Sequence, residues 1–272
     1  MNNTTYGTNI IYLTTNCNLD CDYCYEKDNR NKLKKQKELT ELDIDNFLLE
    51  INNREKNRSS VVVIFGGEPF LKYDLIKYLI KKGKEIKNFS YCLTTNGILL
   101  SKEKIILDFI KFYYNEIYNK NVSLSIEISY DVSGNYRRYD KNGKTYDKEI
   151  LLAMRYLSLA KIPFALRYTI TKSNFNNFYN DLELMINKFK IISKVQTAIV
   201  FSEFDENISQ IFKNDAIKLF QRYNIPICDF VCEICKKCDK SNSNNYYYLK
   251  NKKLVVEKDK QKEFDHFINI KE

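Results

Sequence analysis

The stretch Asn9-Ile10-Ile11-Tyr12-Leu13-Thr14-Thr15-Asn16-Cys17-Asn18-Leu19-Asp20-Cys21-Asp22-Tyr23-Cys24 decides how the chain is read. Residues 9–14 are apolar and rich in β-branched side chains, as in a buried strand. Cys17, Cys21 and Cys24 follow at once in a CxxxCxxC spacing. Three thiolates on one loop can hold three corners of a cubane iron–sulfur cluster and leave one iron open to an outside group. Taken alone, the spacing also suits part of a zinc site. A loop that follows a strand directly, at the C-terminal mouth of a barrel, lies where the active sites of such folds form.

Downstream the same alternation repeats. Strand-like runs at residues 61–65, 89–93, 123–129, 164–170 and 195–201 alternate with helical-period stretches at 41–52, 72–87, 102–119, 146–160, 174–190 and 208–223. Repeated βα units build a parallel sheet. Six of them in one order predict an α/β fold with a partial (β/α)6 barrel in preference to a doubly wound sheet. Pro226 and a run of cysteines then break the rhythm. The expected division is therefore 1–225 for the barrel and 226–272 for a small C-terminal Cys-rich hairpin cap, its strands at 246–249 and 254–256.

Composition narrows the class. The 272 residues hold 44 Lys+Arg against 35 Asp+Glu, with 44% hydrophobic, seven Gly and three Pro, which excludes disordered and collagen-like chains. The first residues have neither a basic nor an apolar targeting stretch, and no apolar run reaches the roughly 18 residues a span requires. That predicts a cytoplasmic protein with no membrane contact. Thiols stay reduced in that compartment, so the eight cysteines read as metal ligands rather than disulfides. The formal net charge of +9 comes from scattered lysines such as Lys32, Lys34, Lys35 and Lys37, a solvated surface rather than a polyanion stripe.

The cysteine loop resembles that of the radical S-adenosylmethionine (SAM) enzymes, in which an aromatic residue, here Tyr23, precedes the last Cys. Later segments resemble that family's motifs in its order at successive strand ends. Phe65-Gly66-Gly67-Glu68-Pro69 is similar to the GGE(P) motif that holds the SAM amino group, and Thr94-Thr95-Asn96-Gly97 to the T-x-N-G segment. Ser129-Tyr130-Asp131 resembles the S-x-D that binds ribose and carboxylate, and Arg167-Tyr168-Thr169 the strand whose Arg faces the SAM carboxylate, a match for its planar fork. The resemblance spans roughly residues 9–201. It implies a radical SAM barrel, a 4Fe-4S cluster on Cys17, Cys21 and Cys24, and SAM bound by Tyr23, Gly66, Gly67, Glu68, Thr94, Asn96, Ser129, Asp131 and Arg167. One departure is Val132, which stands where relatives acting on peptides place Gly.

Cys228, Cys232, Cys235 and Cys238 form a second cluster, CxxxCxxCxxC, whose four soft ligands suit zinc or an iron–sulfur cluster alike. In the family context an auxiliary 4Fe-4S cluster is the expectation, in a reduced version of the SPASM or twitch domain, with zinc as the alternative. Cys92 reads as a core residue, and His266 as a surface side chain. One His and no G-x-S-x-G give hydrolase chemistry no support.

The resemblance implies an oxidoreductase that cleaves SAM reductively to a 5′-deoxyadenosyl radical and abstracts hydrogen from a peptide or protein, as in maturation of ribosomal peptides (RiPPs). A flavodoxin- or ferredoxin-type electron donor is implied, and nucleic acid is not expected. The alternatives are a radical SAM enzyme acting on a small molecule or nucleotide and, in another class, a zinc-stabilised nucleic-acid-binding protein.

Overall fold

The computed structural model describes residues 6–24, 26–27, 39–55, 59–87, 89–200, 203–204, 208–228, 244–250 and 253–258. Six βα units run through it: β1 Tyr6–Thr14, α1 Glu41–Arg54, β2 Ser59–Gly66, α2 Tyr73–Ile86, β3 Ser90–Thr95, α3 Glu103–Glu116, β4 Ser123–Ser129, α4 Asp147–Leu159, β5 Phe164–Ile170, α5 Phe178–Lys188, β6 Ile192–Ile199 and α6 Ile208–Tyr223. Short β7 Ile227–Cys228 and the hairpin β8 Asn244–Lys250 and β9 Lys253–Lys258 follow.

The sheet order is β7-β6-β5-β4-β3-β2-β1-β8-β9. Strands β1 to β6 stand in chain order with every neighbouring pair parallel. A doubly wound sheet would reverse direction at a switch point, and this one does not. β1 and β6 pair with β8 and β7 rather than with each other, so the partial (β/α)6 barrel stays open.

Side chains alternate across each strand, and the two faces have opposite chemistry. Leu13, Ile64, Leu93, Ile128 and Leu166 point to the helices and join Phe47, Leu79, Phe109, Met154 and Phe178 in one buried core. Each such side chain contributes about 1.5–3 kcal/mol on burial. The other face forms the lumen. Tyr12 and Phe65 stack edge to face there at 5.6 Å, while Thr94 stands opposite Glu127, Glu127 opposite Ala165, and Ala165 opposite Lys194. Helix α1 opens on a capping box in which Thr40 and Asp43 satisfy each other's backbone N–H, worth about 1 kcal/mol.

The structure moves some expected boundaries. β6 covers Ile192–Ile199 rather than 195–201, because Ile192 pairs with Phe164 at the start of β5 while Ser193 and Lys194 hide the strand's apolar signal. The hairpin forms where its sequence pattern predicts, yet β8 continues the main sheet by pairing parallel to β1 from Thr8↔Asn244 to Ile11↔Tyr247. Cys92 is only half-buried and lies on the lumen face, since alternation gives the core positions to Tyr91 and Leu93. Cys232, Cys235, Cys238 and His266 lie outside the described residues. No helix among the described residues is long and apolar enough to cross a membrane.

Candidate functional site

Because the six strands are parallel, their C-terminal ends lie on one edge of the sheet, and the Cys17–Cys24 loop is anchored there on three of its neighbours. Gly67 N–H donates to Thr14 O at 2.9 Å and Glu68 N–H to Asn16 O at 2.8 Å, joining the loop to the end of β2. Asn96 Nδ2 donates to Asn18 Oδ1 at 2.7 Å, joining it to the end of β3. Asp20 N–H donates to Tyr139 O at 2.7 Å, and Arg137 Nε to both Asp22 carboxylate oxygens at 3.0 and 2.9 Å, joining it to the segment after β4.

The glycines have a steric cause. A Cβ on Gly67 would stand 2.1 Å from Asn16 O, and one on Gly66, whose φ is +130°, 2.3 Å from Thr14 O. Backbone packs on backbone at this point, which only Gly permits. Glu68 is buried and accepts from Thr95 Oγ1 at 2.7 Å, Asn96 N–H at 2.8 Å and Phe70 N–H at 3.0 Å. Burial pushes its carboxyl up, and those three donors pull it back. Of the expected SAM-binding residues, Glu68 and Asn96 thus stand beside the cysteine loop and brace it.

Tyr23 and Asp131 come together at the end of β4. The Tyr23 hydroxyl donates to Asp131 Oδ2, and Thr169 N–H donates to Asp131 Oδ1 at 2.8 Å. Arg138, which sequence reasoning missed, completes the group by donating to Tyr23 Oη at 3.0 Å with Asp131 Oδ2 at 3.6 Å. Its one signal was the Arg137-Arg138 pair shortly past Asp131. Ser129 is half-buried at the strand end. Thr94 and Arg167 sit deeper in the lumen, both donating to Glu127 Oε2 at 3.2 Å.

Cys17, Cys21 and Cys24 form no disulfide and are half-buried. Burial pushes the Cys21 thiol up to about 11 against the pull of the Arg138 charge. Among the described residues no three His, Cys, Asp or Glu side chains gather as a single metal ion would require. A cubane instead asks each thiolate for a separate iron. The buried atoms Arg138 Nε and both amide atoms of Asn135 have no hydrogen-bond partner. Three soft ligands on one loop, with the buried Arg138 cation and its unsatisfied Nε beside them, fit an iron–sulfur cluster and a carboxylate-bearing ligand.

This arrangement defines an open parallel barrel with a cysteine loop at its mouth. The chain belongs to the radical SAM superfamily, whose family model matches residues 11–185. Membership brings with it SAM and an iron–sulfur cluster. An uncharacterised protein of Methanocaldococcus jannaschii is 29% identical over 174 residues, 61% of this chain and 53% of that one. GTP 3′,8-cyclase of Clostridium perfringens is 40% identical over 102 residues, 35% of this chain and 30% of the enzyme. The matched stretches thus span about half or less of these relatives. Among solved structures, anSMEcpe with bound AdoMet has a TM-score of 0.66 at 16% identity, covering 86% of this chain and 68% of that one. Streptococcus suis SuiB bound to the precursor peptide SuiA has a TM-score of 0.59 at 15% identity, covering 89% and 58%.

Proposed function

We propose that the chain cleaves SAM reductively and abstracts a hydrogen atom from a peptide or protein substrate. The observation that carries this reading is the Cys17–Cys24 loop pinned to the ends of β2, β3 and the segment after β4, above an open lumen. When bound, a reduced 4Fe-4S cluster and SAM supply the electron and the 5′-deoxyadenosyl radical for the C–H step. Cys17, Cys21 and Cys24 hold the cluster. Gly66 and Gly67 bring backbone carbonyls close to the SAM ammonium, and Glu68 and Asn96 hold that edge in place. Ser129 and Asp131 face the ribose side, and the buried Arg138 supplies the cation for the carboxylate, with Tyr23 fixed between Asp131 and Arg138. Thr94 and Arg167 extend the surface into the lumen.

A flavodoxin- or ferredoxin-type protein supplies the electron. Residues 226–272 serve as a reduced SPASM- or twitch-like region in which Cys228, Cys232, Cys235 and Cys238 hold an auxiliary 4Fe-4S cluster, with zinc as the alternative metal. The peptide reading draws support from SuiB and from anSMEcpe, also solved with the Kp18Cys peptide. The GTP 3′,8-cyclase similarity supports the second reading, a nucleotide or other small molecule as substrate. Family membership favours either over a zinc-stabilised nucleic-acid module.

Anaerobic reconstitution tests the proposal. Cys17→Ala, Cys21→Ala and Cys24→Ala should each abolish 5′-deoxyadenosine formation, and retained cleavage in any one sinks the cluster assignment. Cys235→Ala should lower iron by one cluster, about four atoms, while leaving SAM cleavage in place; an unchanged iron-to-protein ratio overturns the auxiliary cluster.

A further inference from the structure

The lumen carries an ion cluster that takes in Thr94 and Arg167, two of the residues the resemblance assigns to SAM, and joins them to Glu127 and Lys194. Glu127 on β4 is buried, its side chain 5% exposed, and is bracketed by Arg167 Nη1 at 3.2 Å from Oε2 and Lys194 Nζ at 2.9 Å from Oε1. Thr94 Oγ1 shares Oε2 with Arg167, also at 3.2 Å. The two cations are not buried with their partner: their side chains are 27% and 29% exposed. They come from adjacent strands and reach the carboxylate from the lumen side of the sheet. Taking charges out of water costs several kcal/mol per ion, and apolar residues of similar size would pack as well or better. An ion triad kept in a barrel interior, with one anion shared by two accessible cations, is therefore a candidate for recognition rather than stability.

We propose that Lys194 and Arg167, oriented by Glu127, form a subsite for an anionic group of the substrate, a carboxylate or a phosphate. This deepens the proposed function and rests on it for the identity of the substrate. Glu127 holds the two cations apart on its separate oxygens, Arg167 on Oε2 and Lys194 on Oε1. A planar guanidinium and an ammonium facing one space can take two oxygens of one anion. Across the lumen, Tyr12 and Phe65 offer an apolar aromatic wall for the uncharged part of the same molecule. The pocket would then orient its substrate by charge on the β4–β6 side and by apolar contact on the β1–β2 side.

The test uses the full cluster-loaded chain and three probes: N-acetyl-glutamate amide, its neutral glutamine counterpart, and inorganic phosphate. Labelling of Lys194 by an amine-reactive reagent, read by mass spectrometry, should fall at least threefold with the glutamate probe or with phosphate and not with the glutamine one. Protection by glutamate alone assigns a carboxylate, and by phosphate alone a phosphorylated small molecule. Calorimetry should show a loss of tenfold or more in affinity for the protecting anion in Lys194→Met and recovery in Lys194→Arg. Glu127→Gln raises the local charge and should bind the anion more tightly, which a merely structural ion pair would not do. Labelling unchanged by every probe, protection by glutamine as well, or equal affinity in Lys194→Met would each overturn the subsite. If 5′-deoxyadenosine still forms in that case, only the subsite fails; if anions bind and SAM is never cleaved, the enzyme reading fails instead.

Discussion

Replacing Gly67 with alanine measures how much the site depends on two backbones in contact. The added methyl group would lie 2.1 Å from Asn16 O, 2.5 Å from Asn16 C and 2.8 Å from Thr15 O. These are main-chain atoms, so no side chain can swing aside. Ordinary contact begins near 3.4 Å, and the loop has to retreat by about 1 Å to reach it. That retreat strains or breaks the hydrogen bonds from Gly67 N–H to Thr14 O and from Glu68 N–H to Asn16 O, each worth about 1 kcal/mol. Overpacking adds about 1–3 kcal/mol. A destabilisation of about 3–5 kcal/mol follows, on the order of 10 °C in melting temperature for a domain of this size. The effect on chemistry should be larger, because misplacing a reactive group by about 1 Å costs on the order of 100-fold in rate. Gly143→Ala is the control: its φ of +77° also disfavours alanine, but nothing lies within 4 Å of the new methyl, so only backbone strain of about 1 kcal/mol is expected. Thermal melts of the metal-free chains and 5′-deoxyadenosine rates of the reconstituted ones provide the comparison. Equal melting temperatures for the two variants, with Gly67→Ala cleaving SAM at the parent rate, would refute the close-approach account.

Arg138→Met removes a buried cation beside Tyr23 and Asp131 while keeping much of the volume. Equilibrium dialysis should show SAM affinity reduced tenfold or more with iron content unchanged, and parent-like affinity would remove Arg138 from the site. Acid titration probes Glu127, whose carboxyl is held down at about 2, with the Lys194 and Arg167 charges outweighing the upward push of burial. The folded-state value lies below the unfolded one, so the stabilisation is fully present above about pH 4.5 and is lost as pH falls toward about 2, on the order of 3 kcal/mol in all. Urea midpoints between pH 5 and 2.5 should therefore fall less steeply in Glu127→Gln than in the parent, and parallel slopes would show that Glu127 is not so coupled.

The barrel was legible because each strand was an apolar run with a helical period behind it, and because motifs recurred in order on five successive strands, β1 to β5. Bracing was not legible. Glu68 and Asn96 could be picked out as site residues, but the bonds that tie Glu68 to Thr95 and Asn96 to Asn18 depend on loops meeting in space, which no spacing encodes. Arg138 was missed for a related reason: it follows Asp131 in an irregular segment and reaches Tyr23 only because that segment folds back over the cysteine loop. Cys92, read as a core residue, stands half-buried on the lumen face because a short apolar run does not reveal which parity points to the helices. The lumen triad escaped because Glu127, Arg167 and Lys194 lie on three different strands, and only register brings them together.

Register also changes how the C-terminal region relates to the barrel. Six parallel strands that stop short of closure leave two rows of backbone N–H and C=O groups, at β1 and β6, ready to pair with other chains. Both rows receive partners from beyond residue 223: β7 lies along β6, with Val195↔Ile227 and Gln196↔Cys228, and β8 lies along β1. Even Pro226, which has no N–H to give, contributes, its carbonyl accepting Val195 N–H at 2.8 Å. The same pairing places the Cys228 backbone in one row with Gln196, Arg167 and Ser129. The second cysteine run therefore begins on a strand paired with β6, in the same row as Arg167 of the lumen wall. A break in the βα rhythm at Pro226 marks where the chain stops building barrel units and starts covering the edges they leave.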